Sequence, residues 1–147
     1  NRVGFEGQAA MELEMMAETG RIDMRKNKVY GFEWTDGETK RISVRPVITG
    51  ILNDMKNGVP LPLISRRFHA TLIRLFSSLC RELRTETGLN RVVLSGGVFQ
   101  NAILLDGLIS ALENEKFEVF THSLAPANDG GISLGQALVA AKVSEKL

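Results

Sequence analysis

The stretch that most constrains the fold is Arg91-Val92-Val93-Leu94-Ser95-Gly96-Gly97-Val98-Phe99-Gln100-Asn101. A short apolar run, Val92-Val93-Leu94, meets a glycine pair, and an apolar-periodic segment from Phe99 to Leu112 follows at once. That order predicts a buried strand turning tightly into a helix, the place where α/β proteins bind ligands. Adjacent glycines let the backbone approach a ligand closely and adopt φ values that other residues avoid. The helix behind them would present free N–H groups and a positive dipole end, suited to a phosphate or acyl-phosphate oxygen. Asn101, one turn into that segment, would add a side-chain amide. The plainer account is a tight βα turn with no ligand, and neither the P-loop spacing nor Gly-x-Gly-x-x-Gly is present. A second glycine pair, in Pro126-Ala127-Asn128-Asp129-Gly130-Gly131, strengthens the functional account.

At 147 residues the chain has the length of one domain with a real core. Its net charge of +1 argues against nucleic acid or an anionic membrane as a bulk electrostatic partner. No apolar run approaches the roughly 20 residues that span a bilayer. The single cysteine, Cys80, excludes an internal disulfide and fits a reducing cytoplasm. The chain begins at Asn1 without a methionine, amid what reads as functional sequence, so a piece of a longer protein is expected.

Taken in order, Gly7 to Glu18 reads as a helix with Ala9, Ala10, Leu13, Met16 and Ala17 on one face, ended by Gly20. Glu14 reads as a solvated surface carboxylate. Val29–Trp34 and Arg41–Val44 read as a hairpin turning at Thr35-Asp36-Gly37-Glu38. Pro46 starts a helix to about Lys56, broken by Gly58-Val59-Pro60. The longest element is expected over Pro62 to Thr87, with Ile64, Phe68, Leu72, Leu75, Leu79 and Leu83 on one stripe and Ile73, Phe76 and Cys80 on a second. Arg66, Arg67, Arg74, Arg81 and Arg84 then fall on a solvated face, whereas His69 reads as a satisfied, partly buried histidine and Cys80 as core. The chain continues with a strand at 91–95, a helix to about Glu115, a strand at Phe117–Thr121 and a last helix at Ile132–Val143. The second half thus alternates as a layered α/β sheet would.

Asp129 is open to two readings. Asn128 or Asp129 can be a helix N-cap with glycines shaping the turn, or Asp129 can be a hard oxygen ligand for a divalent metal. The two histidines, His69 and His122, are far apart in sequence and no cysteine cluster exists, so no complete metal site is visible. Ser95 has no obvious general base and reads as a turn residue.

Leu94 to Asn101, Pro126 to Ala137 and Phe5-Glu6-Gly7-Gln8-Ala9-Ala10-Met11-Glu12-Leu13-Glu14 together resemble, in the right order, the C-terminal region of the HypF-type hydrogenase maturation carbamoyltransferases. The resemblance implies an α/β fold: the second lobe of an actin/Hsp70/sugar-kinase-like (RNase H-like) fold, a layered sheet flanked by helices, with residues 1–147 as a single unit. By that resemblance Gly96, Gly97, Asn101 and Gly130 would line the nucleotide pocket, and Gln8 and Glu12 would face the ribose. Asp129 would complete a site for a divalent metal (zinc, iron or magnesium) whose other ligands lie outside this chain. The implied cofactor is ATP, used as carbamoyl-adenylate. The implied partners are a HypE-type maturation protein, whose C-terminal cysteine is carbamoylated on the way to the cyanide ligands of [NiFe]-hydrogenase, and the missing first lobe and N-terminal domains. No nucleic acid and no membrane enter. No catalytic residue is assigned, and the isolated chain is expected to be inert. An O-carbamoyltransferase, a tRNA threonylcarbamoyl-adenosine synthase-like enzyme and a non-catalytic interaction module are the competing expectations.

Overall fold

In a computed structural model of the chain, the described residues are 3–17, 28–35 and 41–144. The expected end of the first helix at Glu18 and Gly20, and the hairpin turn at 36–38, lie outside them. Five helices and four strands follow in the order α1 (Gln8–Met16), β1 (Glu33–Thr35), β2 (Arg41–Ser43), α2 (Arg45–Lys56), α3 (Leu61–Thr87), β3 (Arg91–Leu94), α4 (Ala102–Asn114), β4 (Glu118–Thr121) and α5 (Ile132–Ser144).

The starts and stops have local causes. Pro46 and Pro62 stand in the first turns of α2 and α3, where a missing N–H costs nothing. Gly88 ends α3 at φ 72°, a left-handed position in which its N–H returns to Arg84 O. β3 and β4 pair in parallel with Leu94 opposite Thr121, and α4 is the crossover between them. β1 and β2 form a separate antiparallel pair. The architecture is α/β, but among the described residues the layered sheet reduces to these two small ones.

The core lies where α3 packs on α4 and where α4 covers the β3–β4 pair. Ala70, Ile73 and Leu104 form one buried cluster, and Leu94, Leu108, Leu112 and Phe117 form a second. Cys80 is half-buried against the second, and burial, followed by the nearby Glu115 carboxylate, pushes its thiol pKa up. The buried side of α3 follows the predicted stripes only in part: Ile64, Ile73 and Leu75 are buried. Phe76 and Leu83 are exposed, whereas Ser65, His69, Thr71 and Ser77 are buried. Each of these polar groups has a bond: Thr71 Oγ1 accepts from Tyr30 N–H at 2.9 Å, and Ser77 Oγ donates to Arg74 O.

Three arginines also depart from the solvated reading, the first being Arg66, whose Nη1 donates to Ala17 O at 3.2 Å. Arg67 Nη1 meets Asp54 Oδ2 at 2.6 Å, with both side chains only 15% exposed. Arg84 stacks its guanidinium 3.9 Å from the Phe117 ring centroid and donates to Glu115 O. Helix α5 leaves Ile132, Leu134, Leu138, Val139 and Val143 exposed, and the β3–β4 pair leaves Val93 and Phe120 exposed.

Candidate functional site

The two glycine turns are built side by side. β3 ends at Leu94, and Gly96 then takes φ 106°, ψ 156°, a region open essentially to glycine alone. A 3-10 turn at Gly97–Gln100 follows and hands the chain to α4. Gly96 N–H donates to Ala127 O at 3.0 Å, and a Cβ on Gly97 would sit 3.8 Å from Asn128 Cβ. The second turn is self-locked. Asn128 Oδ1 accepts from Gly130 N–H, Asn128 O accepts from Gly131 N–H, and a Cβ on Gly131 would come within 2.8 Å of Pro126 O. Asn128 is therefore the residue that caps this turn, and its side chain leaves Asp129 uncommitted.

Ser95 has a partner after all. Its Oγ lies 2.8 Å from His122 Nε2, because parallel pairing places the residue after Leu94 beside the residue after Thr121. Next to this pair, a cavity of about 280 Å³ is lined by Leu94, Phe99, Gln100, Thr121, His122 and Pro126, among others. It sits at the carboxyl ends of the strands, where open α/β sheets bind ligands. Gly96, Gly97 and Gly130 do not line it.

Behind the first turn, the N-terminus of α4 is already satisfied from within. Glu14 Oε1 accepts from Ala102 N–H at 2.6 Å and, more loosely, from Ile103 N–H at 3.4 Å, and Asn101 Oδ1 accepts from Leu104 N–H at 2.8 Å. Two expectations change. Glu14 is not a solvated carboxylate: it caps a helix 88 residues away, because unpaired N–H groups at a positive dipole end attract an anion. And the start of α4 has no free N–H set for a phosphate, so any anion must meet the turn itself.

Asn101 is likewise committed. Its Nδ2 lies 2.9 Å from His69 Nε2, while His69 Nδ1 lies 2.9 Å from Ser65 O. One assignment pairs every donor with an acceptor: Nδ1 carries the proton and donates to Ser65 O, Nε2 accepts from Asn101, and Asn101 Oδ1 receives Leu104 N–H. His69, 2% exposed, is the satisfied histidine expected from its place on α3.

Gln8 and Glu12 are joined on α1, with Gln8 Nε2 donating to Glu12 Oε1 at 2.7 Å and Gln8 Oε1 accepting from Gly4 N–H at 2.6 Å. On the same helix the Leu13 carbonyl oxygen and the Glu14 carboxylate hold α3 and α4. Asp129 is exposed at the second turn. Among the described residues no group of three or more His, Cys, Asp or Glu side chains converges, so the residues present do not by themselves make a metal site.

Comparison with known proteins now decides the family. Residues 1–136 match the family described as carbamoyltransferase, Kae1-like domain, second subdomain. The chain belongs to that family. It is similar to carbamoyltransferase HypF of Synechocystis sp. (33% identical over 140 residues, 94% of this chain and 17% of the relative). It is also similar to carbamoyltransferase HypF of Rhizobium leguminosarum bv. viciae, at 35% identity over 140 residues, 95% of this chain and 17% of the relative. A crystal structure of full-length HypF in its phosphate- and nucleotide-bound form superposes with a TM-score of 0.86 at 42% identity, over 97% of this chain and 18% of that one. The chain therefore corresponds to the C-terminal part of HypF and spans about a sixth of the length of the curated relatives it matches. No helix among the described residues is long and apolar enough to cross a membrane.

Proposed function

We propose that this HypF-family segment is the second lobe of an actin/Hsp70/sugar-kinase-like carbamoyltransferase domain and forms one wall of its carbamoyl-adenylate site. The observation that carries this reading is the Gly96 N–H to Ala127 O bond, which pins the two glycine turns together beyond the ends of β3 and β4. The nucleotide- and phosphate-bound state of the similar HypF structure supports a nucleotide as the ligand. Gly96, Gly97 and Gly130 give the close backbone approach, Asn101 holds the turn from behind, and Gln8 with Glu12 receives the ribose hydroxyls.

At about 280 Å³ the cavity beside these turns is smaller than the roughly 300–1,000 Å³ of ordinary small-molecule sites. The remaining walls come from the first lobe, which also covers the exposed apolar side chains of α5. Asp129 would contribute one ligand to a divalent metal whose other ligands lie in that lobe, and the ion would supply charge stabilisation when bound. The protein's own part is positional: it orients the adenylate and excludes water, so that the thiolate of the HypE C-terminal cysteine forms a bond to the carbamoyl carbon as the bond from that carbon to the phosphate oxygen breaks and AMP leaves. The chain alone has no turnover.

The test uses the full-length protein that carries this chain, supplied with ATP, carbamoyl phosphate and a HypE-type protein. Mass spectrometry should find one carbamoyl group on the terminal cysteine. Gly97→Val should abolish ATP binding together with transfer. Unchanged ATP binding by Gly97→Val would overturn the assignment of the wall.

A further inference from the structure

Helix α1 is nine residues long and contains no buried residue. A helix this short does not hold itself together in water, so its place depends on what it is tied to. Among the described residues, three side chains tie it or the residue after it. Ser65 Oγ donates to Leu13 O, Arg66 Nη1 donates to Ala17 O at 3.2 Å, and Glu14 Oε1 takes the Ala102 N–H. Only the last reaches the glycine turn: Asn101 ends that turn and Ala102 begins α4.

We propose that Glu14 is a positioning residue for the nucleotide site: its carboxylate locks α1, and with it the Gln8–Glu12 pair, in register with the Gly96–Gly97 turn. The inference rests on the reading above that these two elements grip the same nucleotide. Charge-assisted bonds to backbone N–H groups are short and strong, and this one is 2.6 Å long. The anchor point does not yield, because His69, buried in α3, holds Asn101, and Asn101 closes the next N–H of α4. A ligand touching both the turn and α1 thus meets two elements whose separation is set in advance, which lowers the ordering cost of binding.

The prediction is a split in kinetic constants in the full-length protein. Glu14→Ala raises KM for ATP by about tenfold with a smaller change in kcat, as expected when ground-state binding is what suffers. Glu14→Gln keeps an acceptor oxygen and restores KM to within about threefold of the parent. In a Glu12→Ala background, Glu14→Ala adds less than about twofold, because its effect runs through α1. Should Glu14→Ala fold poorly, Ala102→Pro breaks the same bond from the other side. Proline suits the first helical position, and Asn101, at φ −72°, ψ 105°, already has the extended backbone that a following proline needs. Ala102→Pro should raise KM for ATP as Glu14→Ala does.

An unchanged KM in Ala102→Pro, or full additivity of Glu14→Ala with Glu12→Ala, overturns the proposal. If Gly97→Val abolishes ATP binding while Glu14→Ala leaves it intact, the positioning role alone falls. If Gly97→Val binds ATP normally, the nucleotide wall falls and takes this inference with it.

Discussion

Ser95 Oγ and His122 Nε2 meet at 2.8 Å, joining the ends of two parallel strands one residue beyond their last paired position. The bond ties the entrance of the first glycine turn to the loop that leads to the second. His122→Ala should therefore loosen the two turns relative to each other. A neutral hydrogen bond contributes about 1 kcal/mol, roughly a fivefold factor, so ATP affinity of the full-length protein should fall about fivefold in a calorimetric titration. Unaltered affinity would show that the Gly96–Ala127 bond holds the turns without help.

The glycines of the two turns are not equivalent to substitution. A Cβ at Gly131 would meet the Pro126 carbonyl at 2.8 Å, backbone that cannot swing aside, whereas a Cβ at Gly97 makes an ordinary 3.8 Å contact. Gly131→Ala should destabilise by about 1–3 kcal/mol, and Gly96→Ala, forced to φ 106°, by about the same. Gly97→Ala should stay within about 0.5 kcal/mol. Denaturant unfolding of the three variants measures the ranking, and an equal loss at Gly97 would contradict the geometry.

Helices α3 and α4 owe their close approach to Gly107. A Cβ there would clash with Ile73 Cδ1 and lie 3.1 Å from its Cγ1. Gly107→Ala should cost about 1–3 kcal/mol through overpacking, and Ile73→Val alone about 0.5–1.5 kcal/mol. Together they should cost less than their sum, since valine withdraws the clashing methyl. A strictly additive double variant would mean that the helices separate instead of clashing.

How much of this was legible beforehand follows from the range of each interaction. The glycine pairs, prolines and apolar periodicities are local, and α2, α3, α4, α5 and both parallel strands fall close to where the sequence puts them. The stripes on α3 held for Ile64, Ile73 and Leu75 but were incomplete, because that helix is packed from several sides and Ser65, His69 and Thr71 are buried as firmly as Ile73. The polar partnerships could not be read. Glu14 and Ala102 are 88 positions apart, Ser95 and His122 are 27 apart, and Tyr30 and Asp54 are 24 apart. Pattern supplies no signal for such pairs, since a capping carboxylate and a solvated one look alike until the tertiary fold brings an N–H to one of them. The ribose-facing assignment of Gln8 and Glu12 came from family resemblance, and only their mutual hydrogen bond is visible in the fold.

Asp54 gives a pH-dependent test of how α2 is held to α3. The Arg67 guanidinium, followed by the Tyr30 hydroxyl at 2.8 Å, holds its carboxyl below the usual aspartate value. Burial, then the Asp54 carboxylate, push the Tyr30 hydroxyl above the usual tyrosine value. For the depressed carboxyl, the folded state binds fewer protons than the unfolded one between the two pKa values. Its stabilisation is therefore complete above the unfolded value, about 4, and fades as pH falls through the lower folded one. For the raised phenol the sign reverses: stabilisation is complete below about pH 10 and fades as pH rises through the folded value. Asp54→Asn should thus lower Tm most at neutral pH, and its deficit against the parent should shrink below about pH 4. Tyr30→Phe, which removes one buried donor, should cost about 1 kcal/mol at neutral pH, and its deficit should shrink both in strong alkali and, in part, below about pH 4, where the Asp54 carboxylate that accepts from Tyr30 is protonated. Tm measured from pH 3 to pH 8 for both variants tests the acid limb. An Asp54→Asn deficit that stays constant across the acid range would show that the carboxylate's charge does not hold the two helices together.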